Sequence, residues 1–326
     1  MRLTLSVLFA GIILAIPAVL LVDAAFEGES QTRTAAERIG TEFVWPDEPV
    51  VADPEAALRI LTEAAEATES NVLRTTVDDW TEGRKRITHY VLMGRDGTGL
   101  FDEFTLAEGR WLSRTESRTG TATVSSAGGA DVVGVPEVLG GRYDLTFAPL
   151  HHAFESLPSA GRYVVEAPDG EAAERFLSIV HNRLVEAGAT ELRPEDLRPD
   201  LLHSAAGGDG RLNALAYILA GTATLVAAFI LLREGKRIGV LRLMGHSSPR
   251  IWYRVVGRLQ LATLAAGLAA CAACAVAVPG VDAFFVRTVA VGLAEVAAVG
   301  FAATLGAGLV VIHRVRIADL IKGSLD

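Results

Sequence analysis

Four stretches of the chain carry almost no charge, and everything between them is patterned like a water-soluble protein. Residues 3–22, 212–232 and 259–281 contain no Asp, Glu, Lys or Arg, and 288–312 contains only Glu295. A helix needs about 20 apolar residues to cross a bilayer core, so each run predicts one membrane-spanning helix. The first, within residues 1–25, reads as a retained span, because its apolar run is long for a signal peptide.

Residues 26–211 predict an α+β domain inserted between the first and second spans. After a short polar linker, "DPEAALRILTEAAEATES" predicts a helix with Asp53 as cap, Pro54 in its first turn and Leu58, Leu61 and Ala65 on its buried face. "RITHYVLMG" predicts a strand over 86–94, with a turn at "GRDGTG". A short strand and a glycine-centred loop follow in "FDEFTLAEGRWLSRTES", then short strands broken by glycines over 120–141. The clearest unit is a strand over 163–166, the turn Pro168-Asp169-Gly170, and a helix from Glu171 ended by Gly188 that puts Phe176, Val180 and Leu184 on one face. A Pro- and then Gly-rich connector leads into the second span.

Charge changes the picture by adding direction. The chain of 326 residues has a net charge of −9, but residues 24–213 hold 18 Lys and Arg against 33 Asp and Glu, a charge of −15. Residues 233–258, between the second and third spans, hold seven Lys or Arg and one Glu. Short cytoplasmic loops collect Lys and Arg, whereas long translocated domains are not counted. The expected arrangement has both termini and the basic loop in the cytoplasm and the acidic domain outside.

Candidate chemistry is sparse. There is no GxxxxGK[ST], HExxH or GxSxG, so the chain is expected to be non-catalytic, with no cofactor or metal of its own. The neighbours His151 and His152 cannot both face one ion from regular structure. Cys271 and Cys274 lie inside the third apolar run, where small residues serve helix packing.

The basic loop, "REGKRIGVLRLMGHSSPRIWYRVVGR", predicts a helical hairpin. Ile238, Leu241 and Met244 or Gly245 recur at helical spacing, Gly245 ends the first helix, and Ser248 and Pro249 start the second. Arg250, Arg254 and Arg258 share a face of that second helix, and Trp252 and Tyr253 stand where an interfacial aromatic belt would be. Anionic lipid headgroups are the simplest partners for such a stripe.

"REGKRIGVLRLMGHSSPRIW" also resembles the loop after the second helix of the MacB/FtsX-type ABC permeases, bacteriocin-associated integral membrane proteins among them. Four spans with a large domain between the first and second match as well. "LAEGRWLSRTES" is similar to an element of that group's outer domains, and "RIADLIKG" to its tail. A basic residue, Arg237, stands where most MacB-like loops have Glu. The resemblance implies a permease domain over 212–326, with a coupling loop at 233–258 and a cytoplasmic tail at 313–326. It implies a homodimer or heterodimer that binds a separate cytoplasmic ABC ATPase, which carries the ATP. Arg237, Ile238, Val240, Leu241, Arg242, Met244, Gly245 and Arg250 would form the coupling element. Export of a peptide, lipid or antibiotic is the expected role, with an FtsX-like regulator of cell-wall hydrolases or an ATPase-independent receptor as alternatives; no nucleic-acid partner is expected. Within the last span, Glu295 and the small stripe Gly300, Thr304 and Gly308 are expected to serve packing or an interface between copies.

Overall fold

The computed structural model describes residues 2–79, 85–199, 211–278, 281 and 283–314. In chain order the elements are α1 (Arg2–Arg33), α2 (Ala35–Ile39), β1 (Thr41–Trp45), α3 (Pro54–Ala67), β2 (Asn71–Asp79) and β3 (Lys85–Met93). They continue with α4 (Gly99–Asp102), β4 (Leu106–Gly109), α5 (Arg114–Thr119), β5 (Thr123–Ser125), β6 (Val132–Pro136) and β7 (Tyr143–Pro149). Then come α6 (Leu150–Ala153), β8 (Gly161–Glu166), α7 (Gly170–Glu186), α8 (Arg211–Arg233), α9 (Gly235–Leu243), α10 (Ser248–Trp252), α11 (Arg258–Ala277) and α12 (Ala283–Arg314). The chain divides into two compact units: Gly28–Gly207, and Met1–Glu27 with Gly208–Asp326.

The first unit is built on one mixed sheet of eight strands, ordered β1-β8-β2-β3-β7-β5-β6-β4. Strand side chains alternate between faces, so each strand feeds two cores. Leu92 of β3, Val72 of β2, Tyr163 and Val165 of β8, and Phe43 and Trp45 of β1 pack under α3 and α7. Val91, Leu73, Val164 and Phe147 point the other way, toward α2 and α4.

The two large helices form for reasons carried locally. Asp53 caps α3 by accepting from the Ala56 N–H at 3.1 Å, and Ala57, Ile60, Leu61, Ala64 and Ala65 recur at helical spacing and are buried. Asp169 does the same for α7, accepting from Ala172 N–H at 2.7 Å. Two expectations need correcting. The segment read as a polar linker after the first span contains the end of α1, all of α2, and β1, whose Phe43 and Trp45 are fully covered. Of the expected buried stripe on α3, Leu58 is only partly covered, and Ile60 takes the place beneath the helix.

The second unit contains four helical stretches long and apolar enough to cross a membrane: Thr4–Arg33, Ala214–Arg233, Ser248–Cys274 and Phe285–His313. Its packing depends on small residues. Ala216, Ala220, Ala223 and Ala227 form the buried seam of α8, which lies along α12. Gly267 of α11 lies where a Cβ would come within 2.8 Å of Pro17 Cγ in α1. The tail after Arg314, with its family-like "RIADLIKG", lies outside the described residues.

Candidate functional site: the basic helical hairpin

Between the second and third apolar helices the chain makes two helices joined by a glycine turn. Helix α9 ends as the sequence predicts: Gly245, at φ +77°, takes the left-handed conformation. Its N–H donates to the Arg242 carbonyl at 2.9 Å, and the His246 N–H donates to the Leu241 carbonyl at 3.1 Å. These two bonds satisfy carbonyls that would otherwise be orphaned at the helix end. Helix α10 begins one residue earlier than expected, with Ser247 rather than Ser248 at the cap position. It continues through a wide turn, Tyr253–Gly257, in which the Arg258 N–H reaches the Tyr253 carbonyl, and then into α11.

The apolar face of α9 is not the expected one. Ile238 is fully buried against a core that includes Phe9, Leu231, Ile251 and Ile312, and Leu241 packs partly onto it. The exposed apolar side chains are Val240 at 56%, Leu243 at 68% and Met244 at 69%. They sit at i, i+3 and i+4 on one face. Leu243 was not among the predicted residues; its spacing from Val240 was the available signal. Arg233, Lys236, Arg237, Arg250, Arg254 and Arg258 are exposed as well. Arg237 lies 3.6 Å from Glu234, and Arg254 is 2.9 Å from His246 Nε2.

Arg242 departs from its predicted role as a contact for a partner. It is half-buried, and its guanidinium donates to the Ile312 carbonyl near the end of α12 at 3.1 Å. It ties the hairpin to the last helix. Trp252 is likewise buried rather than part of an exposed belt; Tyr253, beside it, is exposed. The indole N–H donates to the Thr304 carbonyl at 3.1 Å. A Cβ on Gly308 would stand 2.4 Å from Trp252 Cδ1, and one on Gly257 would stand 2.7 Å from its Cζ3. The indole therefore fits only because both positions are glycine.

Gly300, Thr304 and Gly308 accordingly pack within the chain. Gly300 faces Ala220 of α8, and the Thr304 hydroxyl donates to Gln260 Oε1 at 2.8 Å in α11. This stripe is occupied by the protein's own helices and is not left for a second copy. Glu295, in contrast, is exposed on the opposite side of α12 and makes no ion pair among the described residues.

The second quoted element, 106–117, is a closed clamp. Arg110 donates from both terminal nitrogens to Glu116, at 2.6 and 2.7 Å. Glu116 also accepts from the Ser113 N–H, while Ser113 caps α5 in return. The Arg110 guanidinium, seconded by Ser113, holds the Glu116 carboxyl down at about 2. The Ser-x-x-Glu spacing was a readable capping box.

No protein-family model matches the chain. No curated protein matches it either.

Proposed function

We propose that the protein is the membrane subunit of an ABC-type system, in which α9 and α10 dock a separate cytoplasmic ATPase. On this reading the four apolar helices cross the cell membrane, both termini and the hairpin lie in the cytoplasm, and the sheet domain lies outside. The excess of Lys and Arg in 233–258 supports that sidedness. One observation carries the reading: Val240, Leu243 and Met244 are exposed together, on a hairpin that also exposes six Lys and Arg side chains. Charge alone would serve lipid headgroups. An apolar patch with a basic surround suits a groove on a protein, where buried apolar anchors carry binding and rim charges steer it. The similarity of "REGKRIGVLRLMGHSSPRIW" to the MacB/FtsX-type loop supplies the ATPase as the partner, and export of a peptide, lipid or antibiotic as the role.

The residues assigned to docking are Leu243, Met244, Val240, Arg237 and Arg250. Ile238, Leu241, Arg242 and Gly245 set the shape of the hairpin. The test is affinity purification from the host in mild detergent, with mass spectrometry for a P-loop ATPase. Leu243→Asp adds a charge to an exposed position, so the expected result is loss of the ATPase with unchanged yield and elution volume. Retention of the ATPase by the Leu243→Asp protein, or its absence from the wild-type preparation, would leave the hairpin as a lipid anchor.

A further inference from the structure

The sheet domain carries a cleft that the hairpin reading does not use. Its volume is about 490 Å³, and its lining includes Arg95, Asp96, Thr98, Asp102, Trp111 and Leu112. That volume falls within the roughly 300–1,000 Å³ of small-ligand sites.

The wall formed by residues 94–99 is fixed from beneath. Glu166, buried in β8, accepts from Asn71 Nδ2 at 2.9 Å, Thr98 Oγ1 at 2.5 Å, the Gly99 N–H at 2.8 Å and Arg95 at 2.7 Å. Asn71 Oδ1 accepts from the Gly94 and Arg95 N–H groups at 3.1 and 3.3 Å. Thus Arg95, the one cation among the described residues of the lining, is already neutralised by Glu166, a carboxylate that accepts from four donors. What remains unpaired is negative: Asp96 and Asp102 are both exposed and make no ion pair among the described residues.

The lining also carries an aromatic side chain, equally fixed. Trp111 stacks on Phe101 with ring centres 4.5 Å apart and planes 5° from parallel, and it meets Phe147 edge-on at 5.1 Å. The Arg110–Glu116 clamp holds the backbone on either side of it. A partly exposed indole lining the same cleft as two unpaired carboxylates attracts a cation through both the ring and the charges. The surrounding domain adds a long-range field of the same sign, since 24–213 carries −15.

We infer that this cleft binds an organic cation, an alkylammonium or guanidinium on an extended apolar stem. Asp96 and Asp102 supply the counter-charge and Trp111 the surface for the stem. The same chemistry is offered by Lys and Arg side chains of a peptide and by a free polyamine. The inference stands independently of the ATPase docking at the hairpin.

The experiment uses the full chain in neutral detergent at about 0.15 M salt, where the Debye length is about 8 Å, with fluorescently labelled tetralysine as the probe and spermidine as competitor. Asp96→Asn with Asp102→Asn is expected to weaken tetralysine binding about tenfold or more, the scale of paired charges beside an aromatic face. The control is Glu55→Gln with Glu191→Gln, which removes the same charge from exposed carboxylates on the α3 and α7 side of the sheet. It should change binding by less than about twofold, because surface charges beyond a Debye length are screened. Equal weakening by both pairs, or no weakening by the first, would overturn the inference, reducing any binding to diffuse attraction by the acidic surface. Displacement by spermidine below the tetralysine dissociation constant would make a free polyamine the ligand; displacement only far above it would make it a peptide. Absence of binding by either cation would also overturn the inference.

Discussion

The sheet domain and the hairpin treat their charges in opposite ways. In the domain, several charged groups are closed onto one another, with Asp96 and Asp102 left unpaired among the described residues at the cleft: Glu166 takes four donors, Glu116 takes both arms of Arg110, and Lys85 reaches Glu29 at 2.6 Å. Over 233–258, six Lys and Arg side chains and the apolar Val240, Leu243 and Met244 are exposed, with contacts such as Arg237–Glu234 and Arg254–His246 within the segment. The domain is built on its own two apolar cores, one on each face of the sheet. On the function proposed above, the hairpin's surface would find its counterparts in headgroups or in a partner. Ordinary surface burial statistics make single exposed apolar residues unremarkable. A contiguous triplet inside a basic rim is a different matter.

The largest expected effect tests the domain's self-sufficiency. Phe147 is fully buried and touches Phe101, Phe104, Trp111 and His89. Phe147→Ala should cost about 3–5 kcal/mol, through lost transfer energy and the cavity left behind. It should lower the thermal transition of the domain while leaving ATPase co-purification intact. Loss of both together would break the contrast between the two regions.

The next effect is a pH dependence confined to the domain. His89 is fully buried on Phe147, with Nδ1 2.9 Å from the Thr75 hydroxyl and Nε2 without a hydrogen bond. Burial, opposed in part by the Thr32 backbone, pushes its pKa down from 6.5 to about 4. The folded domain therefore holds this ring neutral while the unfolded chain protonates it. Stability is at its full value above pH 6.5 and falls as pH drops toward 4, by about 3 kcal/mol at 1.36 kcal/mol per unit. Chemical denaturation between pH 7 and 4 should show this slope, and His89→Leu should flatten it.

The smallest effect separates two arginines that sequence reading treated alike. Arg242→Ala breaks the bond to the Ile312 carbonyl and should destabilise the helical unit by about 1–3 kcal/mol. Arg237→Ala removes an exposed group with a loose contact to Glu234 and should cost less than about 0.5 kcal/mol. Thermal melts in detergent read the difference; equal costs would erase the distinction between a tether and a free surface charge.

How far the sequence could be read depended on how local the determining signal was. Helices α3 and α7 were legible because a capping Asp and an apolar stripe lie within each segment. Strands β1 and β2 were not: "TEFVW" is five residues in polar surroundings, and "NVLRTTVDD" loses its apolar character halfway. Their place in the sheet comes from pairing with β8 and β3. At the hairpin, the Gly245 break was legible from glycine and spacing. Its inward face was not, because α9 carries two apolar stripes, Ile238–Leu241 and Val240–Leu243–Met244, and periodicity alone cannot say which one finds a core. Trp252 was misplaced for a related reason, since its slot is cut by Gly308, far along the chain.

The wide turn at Tyr253–Gly257 has an effect on bookkeeping along the helix. It spends five residues where an ordinary turn spends fewer, so everything before it is phased by one surplus residue relative to α11. Removing any one residue from this turn would bring the ordinary phase back and rotate Trp252 by about 100° around the helix axis. The indole would leave its two glycines, and α9 and α10 would be turned to present another side. The orientation of the whole basic hairpin is thus encoded partly as a count, a single extra position that sets the side on which Trp252 and Arg242 find their partners.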